Sequence, residues 1–561
     1  MAGSASALLL VSLTYATNLR ESHRWLILLL APAGLAVGYL YQWIGSSVEA
    51  GNNLILEEVH DPKSVLKLRM TPLILLATFV THLFGGSVGR EGTAIQTGAS
   101  LADQLTRPLR MLPRDRRILL MAGISAGFAS VFGTPLAGAI FGIEVLAFGS
   151  LSYDAIAPCF LAAFIGDLVT RSWHIHHEVY AIAPVPTMKL SGILYSMAAG
   201  LVCGLVAMAF AHATHAVERT SKRLIPSAPW KSFAGGLVIT VAVFSLGTTK
   251  YIGLGLPTIA ASFQRIVPSY DFAGKFLFTS FTLGTGFKGG EVTPLFYIGA
   301  TLGNALSHIL PLPPSLLAAI GFVAVFAGAA NTPITSTFMA LELFGGEAGA
   351  YAAIACIISY IFSGHSGIYH SQKVGRSKHP GGAADEGMSL ALVAKTRDEA
   401  PWNPLEEIND FGFLEGAPTV DLRVLRLYFS ASQMRSADSW WQRFTPISLG
   451  EYLLQQAKEH GIEQALLNRV IGGFLDSHEL TMDSGEIQPT MLPQCLELVG
   501  DEKLLQSFLK DNEKHLERVR VVFLRGEEVH AQAALGKEQL SQTLDIQQAG
   551  RSDGADKPEH E

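Results

Sequence analysis

Charged side chains are scarce in this sequence. They make up 16% of its 561 residues, whereas a soluble globular protein carries about 25%. The shortage is confined to the first part of the chain: residues 1–370 hold 17 acidic and 21 basic side chains, and residues 371–561 hold 31 acidic and 20 basic ones. This split excludes a single soluble domain and predicts a membrane domain followed by a soluble tail.

Long stretches of the first region contain no charge at all. The run Trp25–Ile44 is uncharged over 20 residues, Leu190–Val217 is uncharged when histidine counts as neutral, and no charged side chain lies between Glu291 and Glu342. A transmembrane helix needs about 20 apolar residues. Shorter runs with glycine, such as Phe276–Phe287, are typical of helices that stop inside the membrane. We therefore expect an all-α polytopic membrane protein.

Cysteine is rare, and enzyme signatures are missing. The isolated cysteines are Cys159, Cys203, Cys356 and Cys495, whose spacing excludes a disulfide framework or a metal site. The sequence lacks the His-Glu-x-x-His and Gly-x-Ser-x-Gly motifs and paired membrane aspartates, so neither an enzyme nor a cofactor is expected. One group of histidines is interpreted as a solvated loop: His174, His176 and His177.

The loop Arg107–Arg117 carries five arginines and one acid. Loops rich in arginine and lysine remain in the cytoplasm, so we expect this loop on the inner side of the plasma membrane. The predicted organisation is a membrane domain over 1–372 (halves at about 25–180 and 190–372), a linker over 373–403, a mostly helical cytoplasmic domain of unknown role over 404–546, and a disordered tail over 547–561. Within the tail domain, strands are expected at Val420–Phe429 and Val519–Phe523 and helical spacing at Ser448–Phe474.

The membrane region contains an internal repeat. Residues 89–101 read GREGTAIQTGASL and residues 289–302 read GGEVTPLFYIGATL, so that aligning Gly98 with Gly299 also sets Thr93 on Pro294. Each half then has a Thr-Pro pair followed nine residues after its proline by an acid, Glu144 or Glu342. A weaker third match sets GNNLI at 51–55 against GLGLP at 253–257, again at an offset near 200.

Repeats of this kind are typical of transporters whose broken helices meet near the middle of the membrane. The amino end of a helix has unpaired N–H groups and a partial positive charge, which suit an anion. Glu91 stands at such a start, where its carboxylate would compete with an anion for the same donors when ionised and release them when protonated. A structural ion pair with Arg90 or a simple helix-start charge is the alternative.

The other candidates come from the matching turns. Val292 and Thr293 offer backbone N–H groups and a hydroxyl, and the adjacent Glu291 is either a proton group or a helix-start charge. Asn52 and Asn53 offer amides or form a simple turn. Tyr369 could donate its phenol to an anion or anchor the chain at the interface, and the repeated Glu144 and Glu342 favour a structural role such as bonding backbone.

The motif Gly89-Arg90-Glu91-Gly92 with Gln96 and Gly98, the second-half Gly-Gly-x-x-x-Pro turn and the late tyrosine resemble the CLC superfamily of chloride channels and transporters, over roughly 25–372. The resemblance implies a homodimer of inverted-repeat subunits, each with its own anion pathway. It implies that Glu91 is the gating glutamate. Glu291, from its place beside the second-half turn, is the candidate for a second proton group. The expected anion-binding residues are Asn52, Gly92, Val292, Thr293 and Tyr369.

Departures from the chloride-type pattern favour one branch of that family. The usual Gly-Ser-Gly-Ile-Pro turn is Gly-Asn-Asn-Leu-Ile at 51–55, the usual proline after Glu-Gly is Thr93, and the internal proton acceptor is replaced by Val145. These features resemble those of the fluoride/proton antiporters, which export fluoride from the cytosol in exchange for protons. The expected partners are therefore fluoride (or chloride), protons and the lipid bilayer, and no nucleic acid. The alternatives are a chloride channel or chloride/proton exchanger of the same fold, and a membrane receptor whose effector is the tail.

Overall fold

The computed structural model describes residues 1–175, 177, 180–378, 387–399, 419–430, 433, 448–469, 472–473, 481–482, 493–516 and 519–529. The chain divides into two compact units, Met1–Pro401 and Trp402–Glu561. His176 and the stretch 547–561, for which a solvated loop and a disordered tail were predicted, lie outside the described residues.

The first unit is built from α-helices. In chain order they are α1 (Ala2–Ser22), α2 (Leu30–Leu40), α3 (Asn52–His60), α4 (Met70–Leu83), α5 (Glu91–Asp103), α6 (Pro113–Phe132), α7 (Pro135–Glu144), α8 (Ile156–Ser172), α9 (Leu190–Leu224), α10 (Ala228–Leu246), α11 (Leu256–Gln264), α12 (Asp271–Gly284), α13 (Val292–Leu306), α14 (Pro314–Ala330), α15 (Pro333–Phe344), α16 (Gly346–Phe362) and α17 (Leu390–Glu399). Short 3-10 and π-helical segments flank α2, at Arg24–Leu29, Tyr41–Gly45 and Ser46–Val48. One pair of two-residue strands, β1 (Ala147–Phe148) and β2 (Lys373–Val374), is parallel.

Helix length separates spanning from broken elements. Four helical segments of the described chain are long and apolar enough to cross a membrane, at Arg24–His60, Tyr153–Ser172, Leu190–Leu224 and Ala228–Leu246. By contrast α5 has 13 residues, which at about 1.5 Å per residue is far shorter than a hydrocarbon core of about 30 Å. The polytopic all-α membrane fold expected from the sequence is confirmed.

The sequence repeat corresponds to a repeat of six successive helices. Helices α3 to α8 recur as α11 to α16, with starts at Asn52 and Leu256, Met70 and Asp271, Glu91 and Val292, Pro113 and Pro314, Pro135 and Pro333, and Ile156 and Gly346. Prolines begin both members of two of the six pairs, α6 with α14 and α7 with α15, where a first-turn residue needs no N–H for the helix ladder.

The two halves exchange contacts reciprocally. The Glu144 carboxylate accepts the N–H groups of Ile334 and Thr335 at 2.9 and 2.8 Å, at the start of α15. The Glu342 carboxylate accepts those of Leu136 and Ala137 at 2.8 and 2.9 Å, at the start of α7. Each acid therefore caps the helix of the other half, where unpaired N–H groups need an acceptor. The interpretation of both as backbone-bonding carboxylates is confirmed.

Glycines let the site helices pack closely. A Cβ atom on Gly98 of α5 would lie 2.3 Å from the carbonyl oxygen of Gly123 on α6, and one on Gly299 of α13 would lie 2.1 Å from that of Gly321 on α14. Small residues at helix contacts allow this approach in membrane proteins. The equivalent packing in both halves holds the starts of α5 and α13 in place.

A buried ion cluster joins the ends of α3 and α5 to the start of α6. The Arg116 guanidinium bonds the Glu58 carboxylate at 2.9 Å and both carboxylate oxygens of Asp103, at 2.7 and 2.8 Å. All three side chains are at least nine-tenths buried. The cluster therefore ties the carboxyl ends of α3 and α5 to one another and to the start of α6.

The arginine-rich loop and the segment that leads to the tail lie at the same end of the first unit. Arg117 donates to the Ser152 hydroxyl at 3.0 Å, and His60 bonds the Leu146 carbonyl at 3.0 Å. Immediately after Leu146, strand β1 pairs with β2 at Ala147 and Lys373. The cytoplasmic position of both stays a prediction.

The described part of the second unit is not mostly helical, so that expectation is wrong for these residues. Its main strands are β3 (Thr419–Ser430), β4 (Gln464–Arg469), β7 (Pro493–Gly500) and β8 (Arg520–Val529), with β5 (Gly472–Gly473) and β6 (Thr481–Met482) forming a small separate pair and α18 (Leu449–Glu459) and α19 (Glu502–Asp511) as helices. The antiparallel sheet has the order β4-β7-β3-β8, the ferredoxin-like β-α-β-β-α-β arrangement.

Side-chain alternation explains this sheet. Leu425, Leu427 and Phe429 on β3 are buried with Leu496 and Leu498 on β7, a period of two that indicates strands. The strands predicted at Val420–Phe429 and Val519–Phe523 correspond to β3 and β8. The helical spacing predicted over Ser448–Phe474 holds only as far as Glu459, because the chain turns there into β4.

We expect Arg116→Met to destabilise the membrane unit by about 3–5 kcal/mol, because two buried carboxylates would lose their cation. The change is measured as a lower melting temperature and a poorer size-exclusion profile in detergent. Lys63→Met is the matched control, since Lys63 forms an ion pair with Asp61 in which the side chains are 75% and 68% exposed, and such pairs contribute about 0–1 kcal/mol. Equal effects of the two changes would contradict a structural role for the buried cluster.

Candidate functional site

The two halves of the repeat meet at the turns that precede α5 and α13. The Gly89 N–H donates to the Gly290 carbonyl at 2.6 Å, and the Gly290 N–H donates to the Gly89 carbonyl at 2.8 Å. The capping residues Arg90 and Glu291 have almost the same backbone angles, φ −112° and ψ −18° against φ −107° and ψ −20°. Two equivalent helix starts therefore face each other across a backbone bridge.

Glycine is required at this bridge by close approach. A Cβ atom on Gly89 would lie 2.3 Å from a carboxylate oxygen of Glu91, and one on Gly290 would lie 2.7 Å from the Gly92 nitrogen. A Cβ on Gly92 would lie 3.0 Å from the side-chain nitrogen of Asn52. Because these glycines have no side chains, a group that lies between the two helix starts can reach the backbone N–H donors of both.

Glu91 fills part of that space. Its side chain is 0% exposed, and its carboxylate accepts the N–H groups of Thr293 and Arg90, each at 3.1 Å. The Thr293 hydroxyl donates to the same carboxylate. The carboxylate of the first half thus occupies the amino end of α13, and the equivalent residue of the second half, Val292, has no carboxylate to return the contact.

Asn52 stands at the start of α3, which the chain enters through Gly51 at φ +58°, a conformation that favours glycine. The side-chain oxygen of Asn52 is buried and has no hydrogen-bond partner among the described residues, whereas the side-chain oxygen of Asn53 accepts the Ser371 N–H at 3.2 Å. Of the two predicted amides, Asn53 is therefore used by the fold. Asn52 keeps free hydrogen-bonding capacity beside Gly92.

Tyr369 is 4% exposed, and residues that the sequence did not single out hold its segment. The Ile368 N–H donates to the Ala329 carbonyl at 2.9 Å. The Gln372 amide donates to the carbonyls of Val145 and Ala330 at 2.9 and 3.0 Å, and its oxygen accepts from Asn331 at 2.9 Å. The tyrosine is therefore fixed by polar contacts to the ends of α7 and α14.

Lys378 secures the same region from the tail side. Its ammonium donates to the Asn331 side chain, to the Ser363 hydroxyl at 2.9 Å and to the Gly364 carbonyl at 2.7 Å, and it lies 4.2 Å from the centre of the Tyr360 ring. A cation near the carboxyl ends of helices is stabilised by their exposed carbonyls. No sequence motif pointed to Lys378, because its partners are distant in the chain.

One cavity of about 560 Å³ joins several of the predicted residues. Asn52, Gly92, Glu291 and Tyr369 line it. Its further polar lining was not expected from the sequence: Glu49, Gln96, His215, Glu218, Lys222, Lys231, Lys288 and His370. Lysines and backbone donors around a cavity of this size suit a small anion surrounded by water.

The charges of this cavity are partly paired. Lys222 bonds Glu218 at 2.6 Å, and Lys288 lies 4.0 Å from a Glu49 carboxylate oxygen and 4.6 Å from the centre of the Tyr41 ring. Lys231 is 7% exposed and forms no ion pair with the described residues.

Thr293 borders a second, separate space. It lines a cavity of about 30 Å³ together with Arg90, His177 and the aromatic residues Phe132, Tyr180, Phe296 and Phe322. The predicted anion-binding residues therefore do not line a single pocket: Asn52, Gly92 and Tyr369 face the large cavity, Thr293 faces the small one, and Val292 is 1% exposed. The Glu91–Thr293 contact links the two groups, since Thr293 belongs to the small cavity and Gly92, next to Glu91, to the large one.

His177 corrects the interpretation of the histidine loop. Its side chain is only 14% exposed and lies 4.0 Å from Asp167, and a Cβ on Gly133 would lie 2.3 Å from its ring. The solvated position predicted for this residue is wrong, because its side chain lines the small cavity. His174 is exposed, at φ +57°.

The sequence of this chain is similar to the sequences of known proteins. The family described as voltage gated chloride channel matches residues 33–364. The chain is 59% identical over 385 residues to a chloride/fluoride channel protein of Pseudomonas syringae pv. tomato, covering 68% of this chain and 85% of that protein. It is 29% identical over 312 residues to a voltage-gated ClC-type chloride channel of Salmonella dublin, covering 52% and 73%.

Solved structures have the same fold. A CLC-type fluoride/proton antiporter is 35% identical with a TM-score of 0.65, covering 66% of this chain and 95% of that one. A slow cyanobacterial Cl⁻/H⁺ antiporter, 19% identical with a TM-score of 0.59 over 72% of this chain and 96% of that one, supports the fold alone. Together with the family match over more than half of its length, these similarities show that the chain belongs to the CLC family of ion channels and transporters.

Proposed function

We propose that the chain is a fluoride/proton antiporter that exports fluoride from the cytosol in exchange for protons, with Glu91 as its proton-dependent gate. The observation that carries this proposal is the placement of the Glu91 carboxylate on the hydroxyl and N–H donors of Thr293. An anion bound at the start of α13 must use the same donors. The carboxylate and the anion therefore exclude one another, and protonation decides between them.

The physical basis is competition between two acceptors. Ionised Glu91 accepts charge-assisted hydrogen bonds, which are about twice as strong as neutral ones. A proton on the carboxylate removes that advantage, so the side chain can leave and fluoride can take the donors. Each exchange of occupant then couples one anion step to one proton step.

The donor set favours fluoride over chloride. Fluoride holds its hydration shell tightly, so a site must replace water with strong donors close to the ion. The Thr293 hydroxyl and the backbone N–H groups at Gly92 and Val292 supply them at the bridge, and the Asn52 amide and the Tyr369 phenol supply them along the large cavity. Similarity to a fluoride/proton antiporter and to a chloride/fluoride channel protein supports the same branch.

The remaining assignments belong to the same proposal. Glu291 lines the large cavity and passes the proton between Glu91 and the cytosol. The large cavity opens toward the cytoplasm with the loop Arg107–Arg117, the tail lies on that side of the plasma membrane, and the protein is a homodimer with one pathway in each subunit.

A chloride channel or chloride/proton exchanger is the second candidate, and the similarity to ClC-type chloride channels favours it. Purified protein in liposomes, assayed with fluoride and chloride electrodes and an internal pH dye, decides between the two. A chloride flux larger than the fluoride flux would reverse the assignment.

We expect Glu91→Gln to lower proton flux by about tenfold or more, because a neutral amide cannot carry the proton, a contribution typical of proton-transfer groups. The fluoride electrode and pH dye are read in the same liposomes. Glu347→Gln is the control, since Glu347 is exposed in the first turn of α16. Unchanged fluoride efflux with unchanged proton coupling in the Glu91 variant would remove Glu91 from the mechanism.

Gly290→Ala should reduce fluoride flux by about tenfold or more without unfolding the protein, because misplacement by about 1 Å is enough to disrupt a binding geometry. The added Cβ would lie 2.7 Å from the Gly92 nitrogen and 2.9 Å from a Glu91 carboxylate oxygen. Gly346→Ala is the matched control, because nothing lies within 4 Å of the Cβ position there. Wild-type flux in Gly290→Ala would contradict an anion position at the bridge.

Asn52→Ser should lower the ratio of fluoride to chloride flux, since the hydroxyl is a smaller and shorter-reaching donor than the amide. Asn53→Ser tests the neighbouring amide, which bonds Ser371 and should leave the ratio unchanged. The two electrodes measure both fluxes in one preparation. An identical ratio in wild type and Asn52→Ser would exclude Asn52 from anion selection.

A further inference from the structure

Two histidines stack at the wall of the large cavity. His215 on α9 and His370, which follows Tyr369, have ring centres 3.8 Å apart with an angle of 29° between their planes. Both rings line the cavity that also contains Asn52, Glu291 and Tyr369. Neither histidine has a role in the anion pathway described above.

The surroundings of this pair are charged. On α9, Glu218 has a carboxylate oxygen 4.0 Å from the His370 ring nitrogen, and Lys222 bonds that same acid at 2.6 Å. The other charged or titratable groups of the neighbourhood are His212 and Arg219 on α9, Lys231 on α10, and Glu49, Lys288 and Glu291 around the cavity. The pair therefore has an acid beside it and lysines around it.

Stacked imidazoles are suited to hold one proton. Imidazole gains and loses a proton within the physiological pH range. Two positive rings in contact would repel one another, so the pair titrates as a coupled unit in which the first proton disfavours the second. Glu218 beside His370 favours the singly protonated state, so the pair holds one proton and gives it up before it accepts the next.

The cavity itself disfavours free hydronium. The cavity is lined by three lysines and three glutamates, and the amino ends of α3 and α5 reach it at Asn52 and Gly92. The partial positive charge of these helix ends attracts fluoride and repels a cation. Protons that leave Glu91 for the cytosol must cross the same cavity in the direction opposite to fluoride. Side chains that bind the proton covalently avoid the cost of an unbound cation in this potential.

We propose that His215 and His370, assisted by Glu218, form the cytoplasmic exit of the proton route. A proton from Glu291 passes along hydrogen-bonded cavity water to a ring nitrogen of the pair, the O–H bond of Glu291 breaking as the N–H bond forms, and the same pair then gives a proton to buffer in the cytosol. No other bond changes and no net proton stays on the protein. This inference rests on the proposed antiport function and assigns the part of its proton route that lies beyond Glu291.

The test uses the full chain in liposomes, with the fluoride electrode outside and the pH dye inside. His215→Gln combined with His370→Gln should slow coupled fluoride and proton flux by about tenfold, the effect typical of losing a proton-transfer group. Imidazole added to the cytoplasmic side should restore much of the lost flux, because a mobile imidazole replaces the missing carrier. A purely structural defect would not respond to imidazole.

His212→Gln is the matched control, an exposed histidine on the same helix, and it should behave as wild type. Wild-type proton flux in the double variant, or a defect that imidazole does not relieve, would overturn the inference. If the unmodified protein moves fluoride without protons, the antiport proposal itself fails. The two failures are therefore distinguishable in one set of liposomes.

Discussion

The contact between the Glu91 carboxylate and the amino end of α13 is the interaction on which the site depends. Two hydrogen bonds from Thr293 hold the acid in a fully buried position, where an ionised group needs donors to offset its loss of hydration. The same donors are those that an anion would need. In the proposed mechanism one set of N–H and O–H groups serves both the carboxylate and the anion, so neither is bound without displacing the other.

The inverted repeat creates this contact. Antiparallel halves bring equivalent helix starts face to face, bridged by Gly89 and Gly290, and the reciprocal caps from Glu144 and Glu342 hold the neighbouring helices in register. Close packing of α5 on α6 and of α13 on α14 depends on glycine in both halves. The symmetry of the fold thus positions the backbone donors of the two helix starts. Side chains alone could not place donors so close together.

Much of the membrane fold and the centre of the site could be predicted from the sequence, because the Gly-rich turns around Glu91 and Thr293 and the paired acids Glu144 and Glu342 are local patterns repeated at one offset. Residues whose partners are distant in the chain were not predicted, among them Gln372, Lys378 and the His215–His370 pair. Their contacts form only in the folded chain. The tail was expected to be mostly helical because composition was weighed above the two-residue alternation of Leu425, Leu427 and Phe429. His177 was misjudged because nothing in the neighbouring sequence shows that its side chain lines a cavity.

The two halves of the repeat differ in the residues at the starts of α5 and α13. Glu91 of the first half corresponds to Val292 of the second, and Arg90 corresponds to Glu291, although the backbone angles at the two caps agree within a few degrees. A carboxylate at both starts would place two like charges on one set of donors, which is unfavourable unless one is protonated. A carboxylate at neither would leave no group to exchange with the anion. In the proposed mechanism, one acid facing one set of donors gives the symmetric scaffold a single switch, with the large cavity on one side of it and the small cavity on the other.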